Sequence, residues 1–263
     1  MSLLPPYLCR LACRARRICQ ALTLALVGAG GTAAAAELKV AVAANFMAPM
    51  QKIAAAFERE TGHKLVIAFG STGRLYAQIR NGAPFEVFLS ADDETPARLE
   101  REGLAVAGSR LSYATGRLVL WSPQPGVVDG EGQVLRRPPT GPLAIADPKV
   151  APYGRAAVQA LGALGVLEAW RSRFVQGESI AQAHQFVASG NAPLGLVAMA
   201  QVFDKGQHVK GSVWVVPAHL HEPIRQDAVL LVRGQGHPAG AAFMRYLRSE
   251  PVRTLIRGHG YED

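Results

Sequence analysis

Residues 68–80 read AFGSTGRLYAQIR. An apolar run meets Gly70-Ser71-Thr72-Gly73, and residues with helical spacing follow without a break. A strand that turns straight into a helix is the repeating unit of a parallel sheet, because the helix carries the chain back to start the next strand. Two hydroxyls at such a turn have three chemical uses. They can cap the helix, attack an electrophile, or donate to an anion held at the helix start.

The flanks repeat the alternation. Upstream, residues 37–46 (ELKVAVAANF) read as a buried strand ending at Asn45. Residues 47–62 (MAPMQKIAAAFERETG) read as an amphipathic helix, with Met50, Ile53, Ala54 and Phe57 on one face and Gly62 closing it. KLVIAF at 64–69 is a second strand. Downstream, FEVFLSADD at 85–93 is a third strand and TPARLEREG at 95–103 a helix with Pro96 near its first turn. After a strand at 116–123 (GRLVLWSP), residues 124–142 are rich in Pro and Gly and read as a surface loop. The pattern then restarts, with a strand at 143–148, helices at 153–165 and 179–190, a strand at 192–202, late strands at 212–217 and 228–233, and helices from 238 onward. This order predicts two α/β units, residues 37–117 plus 227–263 and residues 118–226. A single six- or seven-stranded sheet is the alternative.

The chain has 263 residues and a formal charge of +8, from 28 Lys and Arg against 20 Asp and Glu. Residues 1–36 hold Arg10, Arg14, Arg16 and Arg17, then an apolar run, then GTAAAA before Glu37. That order is an export signal cleaved after Ala36, and its apolar core falls short of the roughly 20 residues of a spanning helix. Without it the charge falls to +4, because four arginines and no acidic residue go with it. Cys9, Cys13 and Cys19 go too, so the remaining chain has no disulfide or thiolate metal site. Basic residues do not cluster with aromatics, which argues against nucleic acid as a partner. The expected product is exported to the periplasm.

Four places share one geometry: a strand or loop end, a small or polar residue, then a helix. They are Ala44-Asn45, Ser71 with its glycines, Pro152-Tyr153-Gly154, and Glu178-Ser179-Ile180. Helix starts carry unpaired N–H groups and partial positive charge, and in open α/β sheets they gather at the carboxyl edge where ligands sit. Taken singly, Ser71, Thr72 and Asn45 are most simply helix caps, Tyr153 a packing residue and Ile180 an apolar helix residue. Together they outline a site for a small, highly charged anion.

Five segments carry a further likeness: VAVAANFMAPMQKIAAAFERETG, FGSTGRLYAQIRNGAPFEVFLSAD, ADPKVAPYGRAAVQAL, GESIAQAHQFVASGNAPLGLVA and EPIRQDAVLL. In these, the chain resembles the periplasmic molybdate-binding proteins of ABC transporters over nearly all of residues 38–262. The resemblance implies a two-lobed α/β periplasmic-binding-protein fold, each lobe a mixed, mostly parallel sheet flanked by helices, with a ligand cleft between. It implies a monomer that captures molybdate, or tungstate, and delivers it to a membrane permease, with no cofactor and no catalytic residue. Its ligand contacts map onto Ala44, Asn45, Ser71, Tyr153 and Ile180. Many members carry a tyrosine where this chain has Ala198, and a small residue where it has Tyr153. The resemblance therefore implies a relocated hydroxyl.

Other oxyanions, namely sulfate, phosphate and thiosulfate, are the competing ligands. A serine hydrolase using Ser71 is the enzyme alternative. It lacks the Gly-x-Ser-x-Gly spacing, and nothing in the sequence brings His184, His219 or His221 to Ser71. His219 and His221 read as surface residues rather than a metal pair. The tyrosines are scattered along the sequence, which argues against a ferric-iron site. Arg74 and Arg155 follow two of the anion loops and read as solvated or lobe-bridging.

Overall fold

The computed structural model describes residues 35–204, 207, 208 and 211–262. The expected export segment lies outside them except for Ala35 and Ala36, as do all three cysteines. Among the described residues no helix is long and apolar enough to cross a membrane.

Two five-stranded sheets organise the chain. The first is built by β1 (Glu37–Ala43), β2 (Lys64–Gly70), β3 (Val87–Leu89), β4 (Leu111–Gly116) and β12 (Ile224–Leu230), in the order β2-β1-β3-β12-β4. The second holds β5 (Leu118–Ser122), β6 (Leu143–Ala146), β7 (Phe174–Gly177), β8 (Leu194–Ala198) and β11 (Ser212–Val215), in the order β11-β5-β8-β6-β7. A two-stranded ribbon, β9 (Phe203–Asp204) and β10 (Gln207–His208), stands apart from both. β1 runs parallel to β2 and β3, and β6 parallel to β7 and β8, while β12, β5 and β11 pair antiparallel. Each sheet is one lobe of the two-lobed α/β fold. The chain leaves the first lobe between Gly116 and Leu118 and returns between Val215 and Ile224.

The helices, in chain order, are α1 (Met47–Thr61), α2 (Thr72–Arg80), α3 (Glu94–Arg101), α4 (Pro152–Ala163), α5 (Leu167–Arg171), α6 (Ile180–Ala188), α7 (Pro238–Tyr246) and α8 (Glu250–Gly258). They cover both faces of each sheet, so a single strand feeds two cores. Leu38, Val40 and Val42 of β1 pack with Phe46, Met50, Ile53 and Phe57, while Ala41 faces Leu75, Phe88 and Leu99. In β5, Leu118 and Leu120 face one core, and Val119 and Trp121 the other. Burial on both faces is why these strands read as unbroken apolar runs. α1 buries Met50, Ile53 and Phe57 and ends on Gly62, whose φ of 72° suits a residue without Cβ.

The stretch 124–142 differs from the expected surface loop. Val128 and Leu135 are buried in the second lobe's core, and the Trp170 indole N–H donates to the Leu135 carbonyl at 2.8 Å. Pro and Gly bend this segment, and those two side chains anchor it.

Candidate functional site between two sheet edges

Parallel strands point their carboxyl ends the same way, and here both lobes point them into one cleft. Ala43 and Gly70 end β1 and β2 in register, and Ala146 and Gly177 end β6 and β7 in register. The short 3-10 turn Ala44–Phe46, α2, α4 and α6 start there. The result is a small cavity lined by Ala43, Ala44, Asn45, Gly70, Ser71, Thr72, Ala91, Ala151, Pro152, Tyr153 and Ile180. All five site residues expected from the sequence lie on its wall, and none is more than 5% exposed. Ala198 is fully buried at the end of β8 and is not part of this wall.

Three of the simple capping readings are corrected by the hydrogen bonds. Ser71 occupies the position before α2, yet its hydroxyl makes no capping bond, and its Oγ is buried without a partner among the described residues. The Thr72 Oγ1 accepts from the Ala91 N–H at 3.0 Å, which ties α2 to the turn after β3 instead of capping a helix. Asn45 makes no capping bond either. Its Nδ2 donates to Gln226 Oε1 at 2.8 Å and to the Tyr261 hydroxyl at 3.0 Å, while its Oδ1 is buried without a partner. Gly70 and Gly73 are both closely packed where a Cβ would stand. A Cβ on Gly70 would meet Leu75 at 3.2 Å, and one on Gly73 would meet the Val150 backbone of the other lobe at 3.0 Å. The Gly73 N–H donates to the Val150 carbonyl at 2.9 Å, so this glycine lets the lobes touch.

The tyrosines scattered in sequence are partly gathered in space. Tyr113, Tyr153 and Tyr261 surround Asn45 and Gln226, a cluster that sequence spacing could not reveal because its members sit on different elements. Burial pushes all three hydroxyls above the ordinary tyrosine value. They stay protonated and act as hydrogen-bond donors, the opposite of the phenolates that hold ferric iron.

Among the described residues no Lys or Arg side chain lines the cavity wall. The two arginines beside it bridge the lobes. Arg74 of α2 pairs with Glu178, and Arg155 Nη2 of α4 lies 3.1 Å from Asp92 Oδ2. No histidine among the described residues lines the cavity. His184 stacks on Trp121 at 4.9 Å between centroids, and burial lowers the pKa of its ring. His221 Nδ1 meets the Glu222 carbonyl at 2.7 Å. Ser71 therefore has no base among the described residues. What the cavity can do is hold a small anion against helix starts, a buried serine hydroxyl and a tyrosine hydroxyl.

Comparison with known proteins agrees with that chemistry. The family model for bacterial extracellular solute-binding proteins matches residues 38–262. The molybdate-binding protein ModA of Azotobacter vinelandii is 58% identical over 229 residues, 87% of this chain and 91% of the relative. ModA of Rhodobacter capsulatus is 49% identical over 242 residues, 92% and 94% of the two chains. A solved periplasmic molybdate-binding protein of Azotobacter vinelandii superposes with a TM-score of 0.83 at 42% identity, covering 86% of this chain and 99% of that one. These are solute-binding proteins rather than enzymes. The chain belongs to the bacterial extracellular solute-binding proteins, in the branch of the periplasmic molybdate-binding proteins.

Proposed function

We propose that this chain is a periplasmic receptor that captures molybdate, or tungstate, between its lobes and hands it to the membrane permease of an ABC transporter. The observation that carries the reading is the Ser71 hydroxyl. It is a donor buried without a partner in a cavity where four helix starts meet and no formal cation or carboxylate enters. Buried polar groups are nearly always paired, so such a donor is matched by what the cavity takes. A dianion accepts from Ser71, from Tyr153, and from the backbone N–H groups of Ala44, Asn45 and Ile180. The Asn45 side chain stands behind this shell, since both its amide protons are taken by Gln226 and Tyr261. Hydrogen bonds to a charged acceptor contribute about 1.5–3 kcal/mol each, so this set supports tight binding without an ion pair.

The working cycle follows from the two lobes. The anion docks on one half of the wall, closure brings the other half, and the Gly73–Val150 bond and the two arginine pairs form as the lobes meet. Ligand contacts on both lobes shift the population toward the closed form, which presents a defined surface to the permease. In this reading residues 1–36 direct export and are removed, residues 37–116 plus 224–263 form one lobe and residues 118–215 the other, the expected boundary at 226/227 falling inside β12, and the receptor works as a monomer.

Calorimetric titration of the mature protein with molybdate, tungstate, sulfate and phosphate tests the reading. Molybdate and tungstate are expected to bind far more tightly than sulfate or phosphate. Equal affinity for sulfate would replace the ligand, and absence of binding by any oxyanion would remove the function.

A further inference from the structure

Gln226 lies fully buried in β12, just after the chain returns to the first lobe, and touches the cavity only through its neighbours. Its two amide atoms face opposite lobes. Oε1 meets Asn45 Nδ2 at 2.8 Å, and Nε2 meets the Tyr153 hydroxyl at 3.2 Å. Oε1 also faces the Tyr113 hydroxyl at 3.0 Å, which lies 2.8 Å from the Ser90 carbonyl as well. The backbone carbonyl of Asn45 takes the Tyr261 hydroxyl proton at 2.9 Å. The Tyr261 oxygen is then an acceptor for the Asn45 side chain at 3.0 Å, so the atom facing it is nitrogen, Nδ2. That nitrogen also donates to Gln226, so the Gln226 atom it meets is the oxygen. Nε2 is therefore the end that reaches Tyr153 and donates to it. The Tyr153 oxygen accepts, and its hydroxyl sits on the cavity wall beside the Asn45 side chain, where its proton can turn to a bound anion.

We propose that Gln226 is a positioning residue that makes Tyr153 a donor toward the bound oxyanion and links the Asn45 lobe to the Tyr153 lobe when the cleft closes. This rests on the oxyanion reading above. A hydroxyl can accept or donate toward an amide. A glutamine presenting its oxygen to Tyr153 would absorb the tyrosine proton and leave lone pairs facing an anion. The fit around this contact is tight. A Cβ on Gly116, in the strand that leaves the first lobe, would stand 2.1 Å from the Tyr153 hydroxyl and 2.5 Å from Gln226 Nε2. Both chain crossings between the lobes thus close on the same hydrogen bond.

The test is a double-mutant cycle read by molybdate calorimetry. Gln226→Met keeps the shape and removes its three hydrogen bonds, to Asn45, Tyr113 and Tyr153. It is expected to weaken molybdate binding about 10-fold, the size of one charge-assisted bond. In a Tyr153→Phe background the same change is expected to cost less than about 2-fold, because the hydroxyl it directs is gone. Gln226→Glu keeps the acceptor for Asn45 but replaces the donor with a second acceptor, and is expected to weaken binding by more than Gln226→Met. Thermal unfolding of each unliganded variant checks the fold, and Gln226→Glu carries the test if Gln226→Met does not fold. Wild-type binding with Gln226→Met within about 2-fold of it would overturn this inference alone. So would a Gln226→Met loss that persists undiminished without the Tyr153 hydroxyl. A wild-type protein that bound no oxyanion would instead overturn the function proposed above.

Discussion

Two serines in this protein look interchangeable and are used in opposite ways. Ser71 and Ser179 each stand immediately before a helix with extended backbone, at φ −73° and ψ 148° and at φ −145° and ψ 165°. Ser179 caps. Its side chain accepts from the Gln182 N–H at 3.3 Å, three residues into α6. Ser71 makes no such bond, and its hydroxyl is buried without a partner in the cleft. The difference comes from the other lobe. In α2 the second N–H of the helix, that of Gly73, is already given to the Val150 carbonyl, so a helix donor that a cap could take serves lobe contact. The start of α6 is completed by its own serine. A helix start facing a second lobe can be completed from outside, which releases the serine for a ligand.

The contact at Gly73 is where the contrast can be broken most severely. A Cβ there already meets the Val150 backbone at 3.0 Å, and backbone cannot swing aside as a side chain can. Gly73→Val is expected to lower molybdate affinity about 100-fold or more by propping the lobes apart, with Gly73→Ala in between. The thermal midpoint of the unliganded protein should not fall, since replacing a helical glycine favours the helix by roughly 0.5–1 kcal/mol. Wild-type affinity in Gly73→Val would mean that the bound state does not bring Gly73 against Val150, and the explanation of the two serines would fail with it.

The serines themselves give the next two effects, which should cross. Ser71→Ala is expected to weaken molybdate binding by between about 10- and 100-fold, the span of one buried bond to a charged acceptor. It should leave unliganded stability no lower, because the lost hydroxyl has no partner among the described residues. Ser179→Ala should do the reverse, costing about 1 kcal/mol of stability, as lost caps do, while affinity stays within about 3-fold. Denaturant unfolding beside calorimetry on both variants separates these outcomes. A stability loss in Ser71→Ala equal to that in Ser179→Ala would return Ser71 to being a cap.

The same contrast marks what the sequence could disclose. The alternation of strands and helices was legible because strands buried on both faces read as continuous apolar runs and helices such as α1 show their inner face as Met50, Ile53 and Phe57. Asn45, Ser71, Tyr153 and Ile180 stood out because each begins a turn of helix just past a strand or loop end, and that local geometry gathers at one edge of each sheet. Nothing local distinguishes a capping Ser179 from a free Ser71, since the deciding atom is the Val150 carbonyl of the other lobe. Gln226, Tyr113 and Tyr261 were hidden for a related reason. Each sits in or beside a different strand or helix, and only the sheet order β12-β4 and the packing of the C-terminal turn bring them to Asn45. The anchoring of residues 124–142 was equally non-local, depending on Trp170 in α5.

The smallest expected effect lies at the rim, and it tests how the anion's charge is balanced. Arg74 and Glu178 join the first turn of α2 to the residue before Ser179, so the pair connects the two helix starts directly. Both side chains are more than half exposed, at 53% and 60%, and exposed ion pairs contribute little because water and salt screen them. Arg74→Gln is expected to change molybdate affinity by less than about 5-fold, and the change should shrink as salt is raised, since the charge acts at the surface. Glu178→Gln should be equally mild, and the two together no worse than either alone. The outcome that would reverse the comparison is a larger loss from Arg74→Gln than from Ser71→Ala. The dianion would then be balanced by a guanidinium at the rim, and the unpartnered hydroxyl of Ser71 would be secondary to the arginine three residues after it.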